Sequence, residues 1–555
     1  MFAFAQAVAA FGLLWLTTGA FAGEVAVNPS AAMRPTAKIA RIPSSEAPEI
    51  DADLSDSNPD AVIVRSMSRD GQIVTGDNVE IILDPAQTRR NAYVFMVGPS
   101  GGRWDGLRLN NREELPEWNT IWAARSRRVS DGWVAEIAIP LRSISFVPGQ
   151  TEWGFDFTRN IRRKTEIVRW SSINPALQIT DVSESGNLTG FTEVQEGLGL
   201  DVVPYLVFRT KHDWGMPGDG AGLSATMGGN AFYKITPGLT GTITVNPDFS
   251  DAPLDVREVN TTRFSLFEYG GFNVGALSVL TDKTPSSDGQ VLSVMRATHT
   301  VFNEQSRMGF ILTNGDPTGL SKNTVAGADF QYRDTTLFNG NTIQADAYYE
   351  RSFSNTKGDD ASYAFAVYYP NEPWSADFSV KTVGTNFTPA LGFVNRRGIR
   401  YYDGFLGHLE RFRDTGGFFR TFELNTRHEV TTDLDGLLLS RESRVQIQFE
   451  TTQDHSVSGD AINNFDRLSE PFELPHNVTI PAGNYEWYSY FLHLRTSQRL
   501  PVSLHFDSWC CDYYNGTQLR VRPEFSFKPS EYYEVEANYD GTFIRLPGGN
   551  VDIHI

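Results

Sequence analysis

The chain has 555 residues and carries 48 Lys and Arg against 67 Asp and Glu, a net charge of −19. That length exceeds one ordinary domain, so two or more units are expected. The acidic balance, with no stretch that concentrates positive charge, argues against nucleic acid as a partner, because phosphate binding needs clustered Lys and Arg.

The first residues, "MFAFAQAVAAFGLLWLTTGAFAGEVAVNP", form an apolar run ending in Ala20-Phe21-Ala22, the small-x-small pattern of a signal peptide cleaved before Gly23. Residues 1–22 are therefore expected to direct export, although no Lys or Arg precedes the run, as an uncleaved anchor or a wrongly assigned start would also give. No later segment approaches the ~20 continuous apolar residues of a membrane helix, so any further span has to be a barrel. Residues 31–60, rich in Pro, Ser, Ala and Asp, lead into a region ending near residue 195. There "NVEIILDP", "NAYVFMVGPSGG", "GWVAEIAIP" and "EWGFDFTRNI" are short strands broken by turn residues. That spacing predicts a β-sandwich over 31–195.

After residue 200 the strands lengthen and alternate cleanly. In "RVQIQFE", Val445, Ile447 and Phe449 share one face and Arg444, Gln446, Gln448 and Glu450 the other. "YEVEANYD", "QLRVRPEFSFK" and "RTFELNTRHEV" keep the same period of two. "RSFSNTKGDDAS" and "TTQDHSVSGDAINNFDRLSEPFELPHN" are polar and are read as loops. Long alternating strands with unequal loops match a transmembrane barrel over 200–555, of about 14 strands, with its apolar side toward lipid. A soluble β protein gives the same alternation with the polar side outward, but the export signal, the aromatic content and the unbroken run of strands favour the barrel. The predicted fold class is all-β: an N-terminal β-sandwich followed by a transmembrane antiparallel β-barrel in the outer membrane, with membrane lipid as a partner.

Candidate chemistry is sparse. "TVNPDFSDAPLDVREVNTTRFSLF" gathers Asp248, Asp251, Asp255 and Glu258 beside Arg257 and Arg263. Its acids lie at intervals of three, four and three without a central Gly, which fails a hand-type calcium loop, and it is read as a structural corner. His428 and Glu429 lack the second His of a helix-borne zinc site, while "PGDGAGL" and "MGGN" are read as glycine turns. No cofactor, metal site or catalytic residue is assigned. The adjacent Cys510 and Cys511 are expected to be either two thiols or one strained link at a strand end. Trp122, Trp133 and Trp153 sit in strand patterns and are expected in the core, whereas Trp104 follows glycines and is expected to be exposed.

Several segments in order give the chain a resemblance to a known family. "GDNVEIILDP", "RRNAYVFMVGPSGGRWDG", "EWNTIWAARSRRVSDGWVAEIAIPLRSISF", "EWGFDFTRNIRRKTEIVRWSSI" and "SGNLTGF", then "NAFYKITPGLTGTITVNPDFSDAPLDVREVNTTRFSLF", resemble Gram-negative outer-membrane proteins built from a carbohydrate-binding family 9-like domain followed by a barrel domain of unknown function. The resemblance implies a polysaccharide or oligosaccharide ligand. It points to Asp77 and Glu80 as the acidic strand start of the sugar site, with Glu80 the hydroxyl acceptor, and to Trp170 as the Trp of its late strand; Trp104, from its place after the glycines, is the better candidate for an exposed stacking ring. The expected clamp positions, "GQIVTG" and "NPALQITDVSESG", hold no Trp. After "IDADLSDS" two or three strands of the sandwich are missing, and Phe267 runs straight into "EYGGFNVGALSVL", itself strand-like. The family pattern is thus expected in a shortened or spliced form. It implies glycan recognition or uptake support without catalysis, with a glycoside-hydrolase-associated protein and a plugged transporter as the alternatives.

Overall fold

The computed structural model describes residues 34–39, most of 69–192, and all of 200–555 except 212–221, 237–238, 246–271, 282–288, 337–339, 413–416, 499 and 531–532. The expected signal segment, the leader and the acidic corner at 248–263 lie outside the described residues.

The chain is all-β, as its alternation predicts. In the first unit eight strands form one sheet, in the order Thr36–Lys38, Gly186–Thr189, Glu152–Ile161, Asn78–Asp84, Ala92–Val97, Arg103–Leu109 and Glu113–Leu115, with Glu166–Arg169 beside Glu152–Ile161. A separate hairpin, Ala123–Val129 with Gly132–Ala138, covers one face. Between them Leu83, Phe95, Val97, Trp122, Ile144, Phe146, Trp153 and Phe191 form the main core. Trp153 is 2% exposed and stacks on Phe191 with ring centroids 3.8 Å apart. Burying such apolar side chains contributes about 1.5–3 kcal/mol each. Trp122 and Trp153 are thus core residues, while Trp133 is half-buried.

Three strands, Leu200–Lys211, Gly222–Thr236 and Leu239–Val245, make a second sheet. "MGGN" lies inside Gly222–Thr236, so it is strand and not a turn. The third sheet has 17 strands, from Phe272–Leu280 to Gly549–His554, with neighbours antiparallel throughout. "GGFNVGALSVL" supplies its first strand, as read. The long polar stretch taken as one loop is divided by the strand Ser456–Leu468 and the small hairpin Phe472–Leu474 with Val478–Ile480. That hairpin seals the end of the sheet through Val478, Ile480, Ile544, Leu546 and Val551. The edge strands Phe272–Leu280 and Gly549–His554 are not joined to one another among the described residues. The expected closure is therefore not made there, since residues 200–245 form a sheet of their own and 246–271 fall outside the description.

The 17-stranded sheet has two unlike faces. Leu424, Val445, Ile447, Tyr490, Leu492, Leu504 and Leu519 are exposed on one. Register aligns them across strands, with Leu424 opposite Ile447, Ile447 opposite Gly459 and Gly459 opposite Leu492. The other face carries ion pairs, including Arg427 with Asp403 at 2.7 Å and Arg444 with Asp460 at 3.4 Å. Cys510 and Cys511 are joined by a disulfide near the end of Val502–Tyr513, where Cys511 has φ +143°.

The first unit rests on one end of this sheet. Arg90 Nη2 donates to Thr300 Oγ1 at 3.0 Å, Asn174 Nδ2 donates to the Gly340 carbonyl at 3.0 Å, Arg307 donates to Asn110, and Arg333 pairs with Asp181. The strand connections at that end are short, such as 301–306, 371–373 and 452–455. Two long ones, 384–398 and 469–482, lie at the opposite end.

Candidate functional site

The face of the first sheet turned away from the hairpin is a polar floor built by register. Glu80 lies opposite Thr158 and Met96, Ile82 opposite Asp156 and Val94, and Thr158 opposite Arg169. Strand alternation sends these side chains to the same side. Thr158 Oγ1 donates to Glu80 Oε2 at 2.9 Å. Asp156, fully buried, accepts the Ser171 backbone N–H at 3.0 Å and pairs with Arg169. Arg108 Nη1 reaches Glu114 Oε1 at 3.3 Å, and Thr180 Oγ1 donates to the same oxygen at 3.3 Å. Asp181 accepts the Ser183 backbone N–H at 2.9 Å and takes Arg333 from the large sheet.

Burial is the main cause that holds the Glu80 carboxyl above its ordinary range, with the charges of Glu114 and Asp156 adding to it and the Thr158 hydrogen bond and Arg169 opposing it. Burial likewise lowers the Arg108 guanidinium, with Glu114 and Asp181 opposing the shift. The Glu80 shift makes a stability prediction. As pH rises through the unfolded value of 4.5 the unfolded chain ionises first, so Glu80 costs stability that is absent below that pH and complete above the raised folded value. Glu80→Gln, which keeps an acceptor for Thr158, should therefore raise the melting temperature at neutral pH, and the gain should vanish as pH falls below 4.5. A pH-independent difference in melting scans would contradict it.

The residues singled out from the sequence do not converge. Glu80 lines the polar floor. Asp77, just before the strand, accepts the Arg162 backbone N–H at 2.8 Å and so ties the strand start to the end of Glu152–Ile161. Trp104 is on the Glu80 side but is half-buried against Ile82, Ala92, Val94 and Val182, with its ring over Gly106, so it is not the exposed ring expected. Trp170 lies on the opposite side, edge-on to Phe155 at 5.4 Å and over Gly186. Trp118 joins the core, 5.1 Å from Tyr93. What the sequence did not disclose is the set of basic partners, Arg108, Arg169 and Arg333, that converts isolated acids into a paired network; only the register and the contact with the large sheet assemble it.

His428 lies on the strand Phe419–Asp433, in agreement with its alternation. No family model matches the chain, and no curated protein matches it. Among solved structures, it is similar to the P pilus usher (PapC) translocation pore at 10% identity over 86% of this chain and 97% of that chain, with a TM-score of 0.27. It is also similar to an E. coli P pilus tip assembly intermediate, PapC-PapD-PapK-PapG in the second conformation, at 13% identity over 92% of this chain and 63% of that chain, with a TM-score of 0.26.

Proposed function

We propose that the chain is an outer-membrane β-barrel protein whose N-terminal β unit is mounted on the periplasmic rim and serves glycan recognition without catalysis. The observation that carries the membrane part is the exposure of the apolar face. Alternation alone fits a soluble protein with polar residues outward, but here Val445, Ile447, Tyr490, Leu492 and Leu504 are exposed while the paired Arg and Asp residues occupy the other side. An exposed apolar band in register across many strands is what lipid would cover. Barrels of this kind keep short turns on the periplasmic side and long loops outside. The first unit sits at the end with the short connections 301–306, 371–373 and 452–455, which supports the periplasmic side.

An epitope inserted into the exposed turn 355–359, at the opposite end, should be detected by antibody on intact cells. An epitope at the exposed Lys164 should be detected only after the outer membrane is permeabilised. The reverse pattern would overturn the orientation, and failure of the protein to fractionate with outer membranes would overturn the localisation.

Glycan recognition rests on the sequence resemblance and on Glu80 as hydroxyl partner. Trp104 and Trp170 lie on opposite faces, so they cannot grip one sugar together. What is left is mainly hydrogen bonds, each worth about 0.5–1.5 kcal/mol against water, and affinity should be no tighter than millimolar. Calorimetry of the intact protein in detergent with xylan and cellulose oligosaccharides tests this, with Glu80→Gln as the variant that weakens binding. Turnover of the oligosaccharide would establish an enzyme, and micromolar binding that survives Glu80→Gln would place the ligand elsewhere.

A further inference from the structure

On the charged face of the 17-stranded sheet, three strands bring two histidines and two carboxylates together. Gly483–Arg495 supplies His493, Val502–Tyr513 supplies His505 and Asp507, and Gly516–Ser530 supplies Glu524. Register places His493 directly opposite Asp507 and His505 directly opposite Glu524, and two-residue spacing puts His505 and Asp507 on one side of their strand. His493 Nδ1 lies 2.7 Å and His505 Nε2 3.2 Å from the same oxygen, Asp507 Oδ1. His505 Nδ1 lies 3.0 Å from Glu524 Oε2. Donor atoms of His493, His505 and Asp507 all fall within 4.8 Å of one another.

A neutral imidazole has one N–H, yet His505 is bracketed by two carboxylates. Donation from Nδ1 to Glu524 leaves the Nε2 lone pair aimed at Asp507, where His493 also converges. We propose that His493, His505 and Asp507 form a binding site for a divalent first-row transition metal, with zinc as the ion that fits it. Two imidazole nitrogens and a carboxylate oxygen are a zinc donor set, and three protein ligands leave a fourth position for water or a solute ligand. Zinc–ligand bonds of about 2.0–2.2 Å set donors about 3.3–3.6 Å apart around a tetrahedral ion. The 3.2 Å separation is close to that, the 2.7 Å one opens by about 0.6–0.9 Å, and the two imidazole nitrogens, within 4.8 Å of one another, draw together to the same distance. Glu524 then acts on the ring nitrogen that faces away from the metal, fixing the tautomer and orientation of His505. The nearby Arg522 is directed to Glu524 at 3.7 Å and Asp540 at 3.4 Å, which draws its charge away from the ligand atoms. Phe491 packs at a tilt 4.5 Å from Trp509 beside His493 and gives the site an aromatic wall. The site stands on strand register and is independent of whether the sheet closes or a glycan binds.

The test uses the intact protein in detergent, purified without a polyhistidine tag and stripped of metal. Cobalt should give the strong visible bands of a tetrahedral site and zinc should displace them, with one equivalent of zinc seen by calorimetry. His493→Ala and His505→Ala should each weaken zinc by at least about 100-fold, and Glu524→Gln by about 10- to 100-fold, the range for loss of a ligand's supporting carboxylate. His299→Ala, on a distant strand, should change nothing. Absence of saturable zinc binding, or binding unchanged in the His493→Ala/His505→Ala double variant, overturns the proposal. Should the alanine variants fail to assemble, zinc protection of His493 and His505 against diethylpyrocarbonate in the wild-type chain reads the same site, and equal modification with and without zinc overturns it.

Discussion

Asp181→Ala should cost about 3–5 kcal/mol and loosen the N-terminal unit from the large sheet, the expected penalty for removing one partner of a buried ion pair. Asp181 is 1% exposed and pairs with Arg333, itself 10% exposed, across the junction of the two units. The substitution strands a buried guanidinium whose remaining side-chain partner is Gln305 Oε1 at 3.3 Å, and it strips an acceptor from the Ser183 N–H. The double variant Asp181→Leu/Arg333→Met should recover much of the loss, because it leaves no unpaired charge behind. Thermal unfolding followed by tryptophan fluorescence reports chiefly the N-terminal unit, which holds Trp104, Trp118, Trp122, Trp133, Trp153 and Trp170 against Trp374, Trp487 and Trp509 in the large sheet. An unchanged transition in Asp181→Ala would show that the pair is not what fixes the junction.

The two faces of the long strands were legible because alternation is a local property: "RVQIQFE" divides into Val445 and Ile447 on one side and Arg444 and Gln446 on the other without reference to any neighbour. Register is not local. His493 and Asp507 are 14 residues apart, and Arg333 and Asp181 are 152 apart, so no spacing along the chain announces either pair. Composition misled where a strand faces a polar interior. Ser456–Leu468 is rich in Ser, Asp and Asn, the residues of turns, but its Ser458 and Asp460 are buried on the charged side while Val457 is exposed. Trp104 misled in the opposite sense. The glycines around it suggested an open loop, but a Cβ at Gly106 would meet the Trp104 ring at 2.6 Å. That glycine is a socket for the ring, which explains why the side chain folds back onto the sheet.

Ile447→Arg should reduce assembly of the barrel by about 2–4 kcal/mol if the residue lies near the bilayer midplane, the depth at which a cation on the lipid face is most costly. Ile447 is 45% exposed, with Leu424 directly opposite on one side and Gly459, then Leu492, on the other. Leu424, Gly459, Val445 and Phe449 surround Ile447 on this face with no acid among them, so a guanidinium there has only its own length with which to reach water. The neighbouring position separates a lipid effect from simple damage to the strand. Gln448 is one residue along, on the face where Glu450 pairs with Arg420 at 3.0 Å, and Gln448→Arg should assemble within a few tenths of a kcal/mol of the wild type because that face is wet. Both variants place the same side chain in the same strand, Leu438–Thr451. The comparison is read from the fraction of heat-modifiable protein recovered after refolding into vesicles across a urea series. At ~1.4 kcal/mol per factor of ten, the expected loss for Ile447→Arg is roughly 30- to 1000-fold in the folding equilibrium. Equal recovery of the two variants would place Ile447 away from lipid, and with it the whole exposed band that Leu424, Leu492 and Val445 share.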